Sequence, residues 1–240
     1  MRILFPKCGV HSGGLPILFK GGTAMKRLPP NLPELLRETP GEPDCFQEAL
    51  FSGEPLRGVR IKNGVFVDLD LSTMGLRGCV LEGCRFLNCD LEEADFRDVA
   101  FTSCDFSGSK LLRSYWNRCA MTSCKGVGAD LRSSTFRDML FSDCNLGYAN
   151  FDSAAFQNTA FLDGTFAQAD FSLCKLVKSA FTGVDLKRAN FFHTPLKGLD
   201  LSTCRIEGIL LEGPELKGAV VDLFQAAELA KLLGVLVKNQ

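Results

Sequence analysis

The chain has 240 residues, 46% of them hydrophobic and 23% charged, with a formal net charge of −1. That composition is typical of a packed protein, and near-neutrality gives no overall reason to expect a nucleic-acid binder. No run of 18 apolar residues occurs, so no membrane-spanning helix and no membrane insertion are expected.

Residues 1–24 are apolar in patches, but Pro6, Gly9, Gly13, Gly14 and Pro16 interrupt any signal-peptide core. They are expected to be a disordered leader or a non-native addition, with Met25 as a second start site. Residues 25–54 are rich in proline and acid. They read as a linker with one helical turn near Glu34 to Arg37, leading into an N-terminal cap.

From residue 55 to 219 one period overrides every local signal. Stepping by five from Leu56 to Leu216 lands on a large apolar side chain each time, except at Gly126. Phe151, Phe156, Phe161, Phe166 and Phe171 are the purest run. A helix repeats at 3.6 and a strand at 2, so a fixed period of five implies a solenoid. Two residues before the centre there is usually a small side chain, such as Cys84, Ala94, Ser109, Cys124 or Ala149. One residue before it there is often Asp or Asn, which favours turns by bonding nearby backbone groups. Each unit is therefore one short side and one corner, with the centre and the small residue pointing inward.

Arginine recurs at 57, 77, 97 and 137, and cysteine at 84, 104, 124 and 144. Both spacings are multiples of twenty, or four units, which predicts an all-β square coil of about eight turns. Trp116 lies ten residues before Gly126, on the opposite side of the same coil. Its oversized indole is expected to fill the space that Gly126 leaves.

Residues 220–240 change period. Asp222 can serve as N-cap, Leu223 to Leu233 has helical spacing, and Gly234 is the stop; Val235 to Val237 is expected to return as a short strand. Leu223, Phe224, Leu229, Leu232 and Leu233 cover more than one face. One face can seal the last coil, and the surplus implies a second copy, a homodimer joined through this helix.

Little points to catalysis. Nine of the eleven cysteines fall on the inward small column, no C-x-x-C occurs, and the spacing fits no zinc site. Stacked in register, their side chains run parallel, so reduced thiols and a cytoplasmic location are expected. Only His11 and His193 are available, and no phosphate-binding glycine loop is present. No enzyme activity, catalytic residue, metal, cofactor or small-molecule substrate is expected.

The segments "CDLEEADFRD", "GADLRSSTFRD" and "YANFDSAAF" resemble the pentapeptide-repeat family, whose A-(D/N)-L-x-x units build a right-handed quadrilateral β-helix. The ending is similar to that of the quinolone-resistance (Qnr and MfpA) group within it, through Gly218, Gln225, Ala226, Leu229, Leu233 and Gly234. Cys124 to Met139 resembles a stretch of the same group.

Sorting outward positions by side uncovers a charge split that the net charge hides. The side centred on Leu71, Leu91 and their successors carries Asp70, Asp90, Glu92, Glu93, Asp130, Asp152, Asp170 and Glu212, against Lys110, Arg113 and Arg132. The neighbouring side carries Arg57, Arg77, Arg97, Arg118, Arg137, Lys175, Lys178, Lys197 and Lys217, against Asp95, Asp98, Asp138 and Glu215. A row of carboxylates on a rigid rod can imitate a DNA backbone. The resemblance implies DNA gyrase or topoisomerase IV as partner and protection from fluoroquinolones. Three alternatives stay open: solvated faces that keep the rod soluble, a basic row that meets nucleic acid or membrane, and a scaffold that docks another protein on the uncharged side near Thr102, Thr122, Ser142 and Thr182.

Overall fold

The structure is a computed structural model that describes residues 17–18, 24–25, 27–232 and 234–238. It is a parallel β-solenoid whose coils advance by twenty residues. On the side centred on Leu76, the strands Gly75–Arg77, Asp95–Arg97, Tyr115–Asn117, Thr135–Arg137, Ala155–Gln157 and Lys175–Val177 stack above Leu56–Arg57 in a seven-stranded sheet. On the next side, centred on Leu81, an eight-stranded sheet runs from Arg37–Thr39 to Ala180–Thr182. Register puts Phe96 opposite Trp116, Phe136 opposite Phe156 and Phe161 opposite Phe181. About seven turns are therefore strand-paired; the eighth closes through turns and single bridges such as Asp200 with Val220.

The other two sides are built mainly from turns, and the residue before the centre decides which form a side takes. Asp70, Asp90, Asp105, Asn150, Asp170 and Asp185 each accept, on a side-chain oxygen, the N–H two residues on. That bond competes with extended pairing. On the Leu81 side the same position holds Val80, Ala100, Ala120, Ala160 and Ala180, and strands form. Where Asp200 takes that place, Ser202 N–H bonds its carboxylate at 2.9 Å and the strand gives way to a turn. Asp95 departs from this, because Arg77 and Arg97 hold its carboxylate, and Asn145 ends the strand Leu140–Asn145 while still accepting from Gly147 N–H at 3.2 Å.

The corner proper lies two residues past the centre. There the backbone is left-handed at nearly every unit, as at Asn63 (φ 53), Asp98 (φ 57), Arg118 (φ 51) and Lys178 (φ 50). Gly164 has the further demand of close approach. Its φ is 87, and an added Cβ would strike the backbone of Cys144, its ladder partner.

The axis is dry. Every centre from Ile61 to Leu211 is buried except Leu176, which is half-buried. Rings stack on rings one coil apart: Phe86 on Phe106 at 5.0 Å, Phe151 on Phe171 at 4.9 Å, and Phe161 on Phe181 at 4.3 Å, each pair within 10° of parallel. The small column lies inside too. Its hydroxyls and thiols donate to the carbonyl 23 residues back, as from Ser109 to Phe86 at 2.6 Å and Cys119 to Phe96 at 3.4 Å. Burial pushes the Cys119 and Cys174 thiols up to about 12, which suits packing and opposes nucleophilic use.

Trp116 is buried, but it does not fill the space at Gly126. Its ring contacts are Phe96, Phe101 and Phe136, and its indole N–H donates to Ser114 Oγ at 2.8 Å. The space beside Gly126 belongs to Leu146, the centre one coil later on the same side. A Cβ on Gly126 would lie 2.5 Å from its Cδ2. The coil above, not the opposite side, compensates for the missing centre.

The ends differ from expectation in several places. Residues 34–35 form a bend rather than a helical turn, and Arg37–Thr39 enters the ladder as a strand parallel to Val59–Ile61. Residues 27–36 are not a free linker: Leu28 N–H bonds Asp138 and Asn31 N–H bonds Asp98. Helix α1 (Gln47–Ser52), with the turn Pro43–Phe46 before it, caps the axis by seating Phe46 4.9 Å from the Phe66 ring. Ile17–Leu18 pairs with Ala24–Met25; the rest of the expected leader lies outside the described residues.

At the other end helix α2 (Leu223–Leu232) opens on a capping box. Asp222 Oδ1 accepts from Gln225 N–H at 2.8 Å, and Gln225 Oε1 accepts from Asp222 N–H at 2.9 Å. The Gln225 amide also donates to the carbonyls of Leu201 and Cys204, both at 2.8 Å, closing the last coil. Gly234, at φ 76, ends the helix; Leu233 lies outside the described residues. Val235 to Val237 forms no strand.

Two substitutions test this packing by urea unfolding. Gly164→Ala should cost about 3 kcal/mol through backbone strain and clash. Gly126→Leu should cost about 1–3 kcal/mol alone, and less in the Leu146→Ala background. Additive losses would show that Leu146 does not occupy the space.

Candidate binding face

The expected acidic side exists as one face. Asp70, Asp90, Lys110, Asp130, Asn150, Asp170, Asn190 and Leu210 follow each other in an unbroken series of parallel bridges. The coil-to-coil ladder therefore sets the rise between their side chains, and the left-handed corner turns the following residues outward.

Charge is spread along it unevenly. In the lower half the bases are spent on the acids. Lys110 reaches Asp90 at 3.8 Å, Arg132 pairs with Asp130 at 2.7 Å, and Arg113 bridges Glu92 and Glu93. Asp70 keeps its charge, but Ser72 bonds its carboxyl and holds it below the usual range. Above Arg132 the face carries no Lys or Arg. Asp152, Asp170 and Glu212 have no ion pair among the described residues. Asp170 is tied to its turn by Ser172 and Asn190, and Asp152 accepts from Ser153 and Ser172. The row expected along the whole rod is thus concentrated in its C-terminal half.

That half also exposes Leu173, Phe192 and Leu210, three apolar side chains among the three carboxylates. Sequence sorting by charge passed over them. Their signal was an apolar residue at an outward offset of the five-residue lattice. An apolar centre with a charged rim is the anatomy of a protein-binding patch.

Glu215 does not belong to any surface. It is buried, and its carboxylate accepts backbone N–H bonds from His193 at 3.0 Å, Glu212 at 3.1 Å and Gly213 at 3.0 Å. Burial alone would raise its pKa; the backbone donors outweigh that and hold it below the usual range. His193 and Glu212 lie beside it, but those three donors already engage Glu215. The Leu76 side is left with the remaining acids against its bases. Arg77 and Arg97 share Asp95, and Arg118 pairs with Asp98 at 2.6 Å. The uncharged strip is in register as expected, with Thr102, Thr122, Ser142, Leu162 and Thr182 in one ladder.

The α2 residues divide as cap and surplus. Leu229 is buried on the last coil, whereas Leu223 and Phe224 are 80% and 82% exposed and Leu232 is half so. No helix among the described residues is long and apolar enough to cross a membrane.

A family model described as pentapeptide repeat region matches residues 94–171. A second, pentapeptide repeats in eight copies, matches residues 76–111 and 169–208. A search of curated protein sequences gave no match. Among solved structures, full-length QnrB1, a plasmid-mediated fluoroquinolone resistance protein, is 21% identical over 84% of this chain and 99% of its own, with a TM-score of 0.49. HetL from the cyanobacterium Nostoc, involved in heterocyst differentiation regulation, is 20% identical over 73% of this chain and 95% of its own, with a TM-score of 0.34. A pentapeptide repeat protein from the Arabidopsis thaliana thylakoid lumen is 22% identical over 53% and 72%, with a TM-score of 0.21.

Glu215 gives this end of the rod an acid dependence. With a depressed folded-state pKa, its contribution is full above the unfolded value of about 4.3 and is lost as pH falls through the lower folded value. Glu215→Gln should flatten that part of the stability–pH curve and cost about 1–3 kcal/mol at neutral pH. An unchanged acid limb in the variant would contradict the assignment.

Proposed function

This chain belongs to the pentapeptide-repeat family, and we propose that it is a non-enzymatic docking protein whose partner surface is the C-terminal half of the acidic face. The observation that carries the reading is the group Asp152, Asp170 and Glu212, without ion pairs among the described residues, around exposed Leu173, Phe192 and Leu210. A solid axis leaves the rod's surface as the place for recognition. Carboxylates held by a rigid ladder lose little freedom on binding, which favours a cationic partner surface.

A type II topoisomerase is the partner we put first, since its DNA-binding surface is cationic and the ending Gly218, Gln225, Ala226, Leu229 and Gly234 resembles the quinolone-resistance group. The copies join through exposed Leu223, Phe224 and Leu232, which places two acidic half-faces in one dimer. The buried thiol column fits a cytoplasmic protein. A scaffold docking through the Thr102–Thr182 strip is the second reading. The in-register, uncharged and half-buried row favours it.

Purified protein should protect gyrase supercoiling from a fluoroquinolone. A variant with Asp152→Asn, Asp170→Asn and Glu212→Gln should lose most of that protection while keeping its melting temperature. No protection, together with no gyrase binding at low salt, rules the topoisomerase out. A pull-down that returns one other partner, lost on Ser142→Glu, favours the scaffold. Phe224→Asp should convert the dimer to a monomer in light scattering; a wild-type chain that is already monomeric removes the dimer from the account.

A further inference from the structure

The N-terminal end of the rod carries an apolar surface that sealing the axis does not use. Phe46 does the sealing. It stands twenty residues before Phe66, in the place of a centre, and is buried with its ring 4.9 Å from that of Phe66. Helix α1 follows it, and Gln47, Leu50 and Phe51, three and four residues apart, share one face of that helix. The face is turned to solvent, with Phe51 96% exposed and Leu50 37%. It opens a broad cleft of about 780 Å³ walled by Asp44, Gln47, Glu48, Leu50 and Phe51. One coil above, on the side that Phe46 and Phe66 share, Val65 and Val67 are exposed as well. A phenylalanine left in water gains nothing from folding, and apolar groups gathered inside a polar rim mark a contact surface.

The rim has one sign. From Glu38 to Leu56 the chain has five acids, Glu38, Glu42, Asp44, Glu48 and Glu54, and no base. Glu38 is paired with Arg60 and Lys62. The other four are exposed and have no ion pair among the described residues. Asp44 accepts from the Gln47 amide at 2.6 Å, a neutral donor that leaves its charge in place.

That sign selects the occupant. Two copies of this cap set face to face would bring like charges together. A second copy's α2 brings no charge to match, since residues 222–240 hold Asp222 and Glu228 against Lys231 and Lys238. The phosphates of nucleic acid and of anionic lipid are repelled. The chain's own residues 1–26 have the right sign, with Arg2, Lys7, Lys20 and Lys26 and no acid. Arg27 and Leu28, next in the chain, are however fastened at Asp138, four coils above the Gly58 corner.

We propose that the α1 cap is a docking surface for a basic amphipathic helix of a partner protein. The apolar stripe of that helix covers Leu50 and Phe51, and the lysines or arginines beside the stripe meet Asp44 and Glu48. The site lies at the far end of the rod from Leu223 and Phe224 and apart from Leu173 and Phe192, so it does not depend on the topoisomerase reading.

The test is fluorescence anisotropy with the full chain and a short labelled peptide that places leucine and lysine at helical spacing. Saturable, salt-sensitive binding is expected, weakened about tenfold or more by Phe51→Ser and by Glu48→Lys. Glu207→Lys, at an exposed acid near the other end of the rod, should leave it unchanged. Melting temperatures check that each variant is folded. Absence of saturable binding, full affinity in Phe51→Ser, or an equal loss with Glu207→Lys overturns the site. Tighter binding of a peptide with the sequence of residues 1–16, or self-association of the chain that Phe51→Ser abolishes, overturns the partner helix as its occupant.

Discussion

One constraint organises the molecule: each centre residue must sit on the residue twenty positions earlier. The parallel ladder enforces it, since Phe136 pairs with Phe156 and Phe161 with Phe181. Stacking follows directly, with the same pairs parallel within 7° and 4.8 and 4.3 Å apart. A ring in this column gains dispersion and burial from its neighbour above and below at once. The left-handed corners, which non-glycine residues pay for at Asn63, Arg118, Tyr148 and many others, are the conformational cost of holding that register. The surface inherits it too, because charges at equal offsets in successive coils must form rows.

Much of this was legible in the residues themselves. The five-residue column, the inward cysteines, the N-cap at Asp222 and the stop at Gly234 all depend on local spacing or local backbone chemistry, which a sequence displays. What was not legible depends on contacts between coils or on chain that leaves the lattice. Leu146 fills the space at Gly126 because it is twenty residues on, not because it faces it across the axis. Glu215 looked like a surface acid until its neighbours His193, Glu212 and Gly213 aimed their N–H groups at it. Arg37–Thr39 is a strand because the open edge at Val59–Ile61 pairs with it, against a local pattern that read as a helical turn. The acidic side was countable, but which acids are spent on Arg113 and Arg132 was not.

Function follows from rigidity joined to asymmetry. A filled axis moves recognition to the outside, and the ladder makes each side a different fixed surface. The side before the centre column's strands carries acid and apolar groups in its upper half. The corner after those strands holds the chain's own residues 27–36, through Asp98 and Asp138. The C-terminal end exposes Leu223 and Phe224 beyond what sealing the coil requires. These surfaces point in different directions on a rod whose ladder fixes their spacing.

The quarter-turn step is tested most directly by deletion. Removing residues 141–160 takes out one whole coil and leaves every later residue on its own side. Removing residues 141–145 preserves the period of five but rotates all later coils by one side, setting strand-forming units against turn-forming ones. Thermal unfolding should stay cooperative in the twenty-residue deletion and fall to a clearly lower melting temperature in the five-residue deletion, although it removes less. A five-residue deletion as stable as the twenty-residue one would contradict the account.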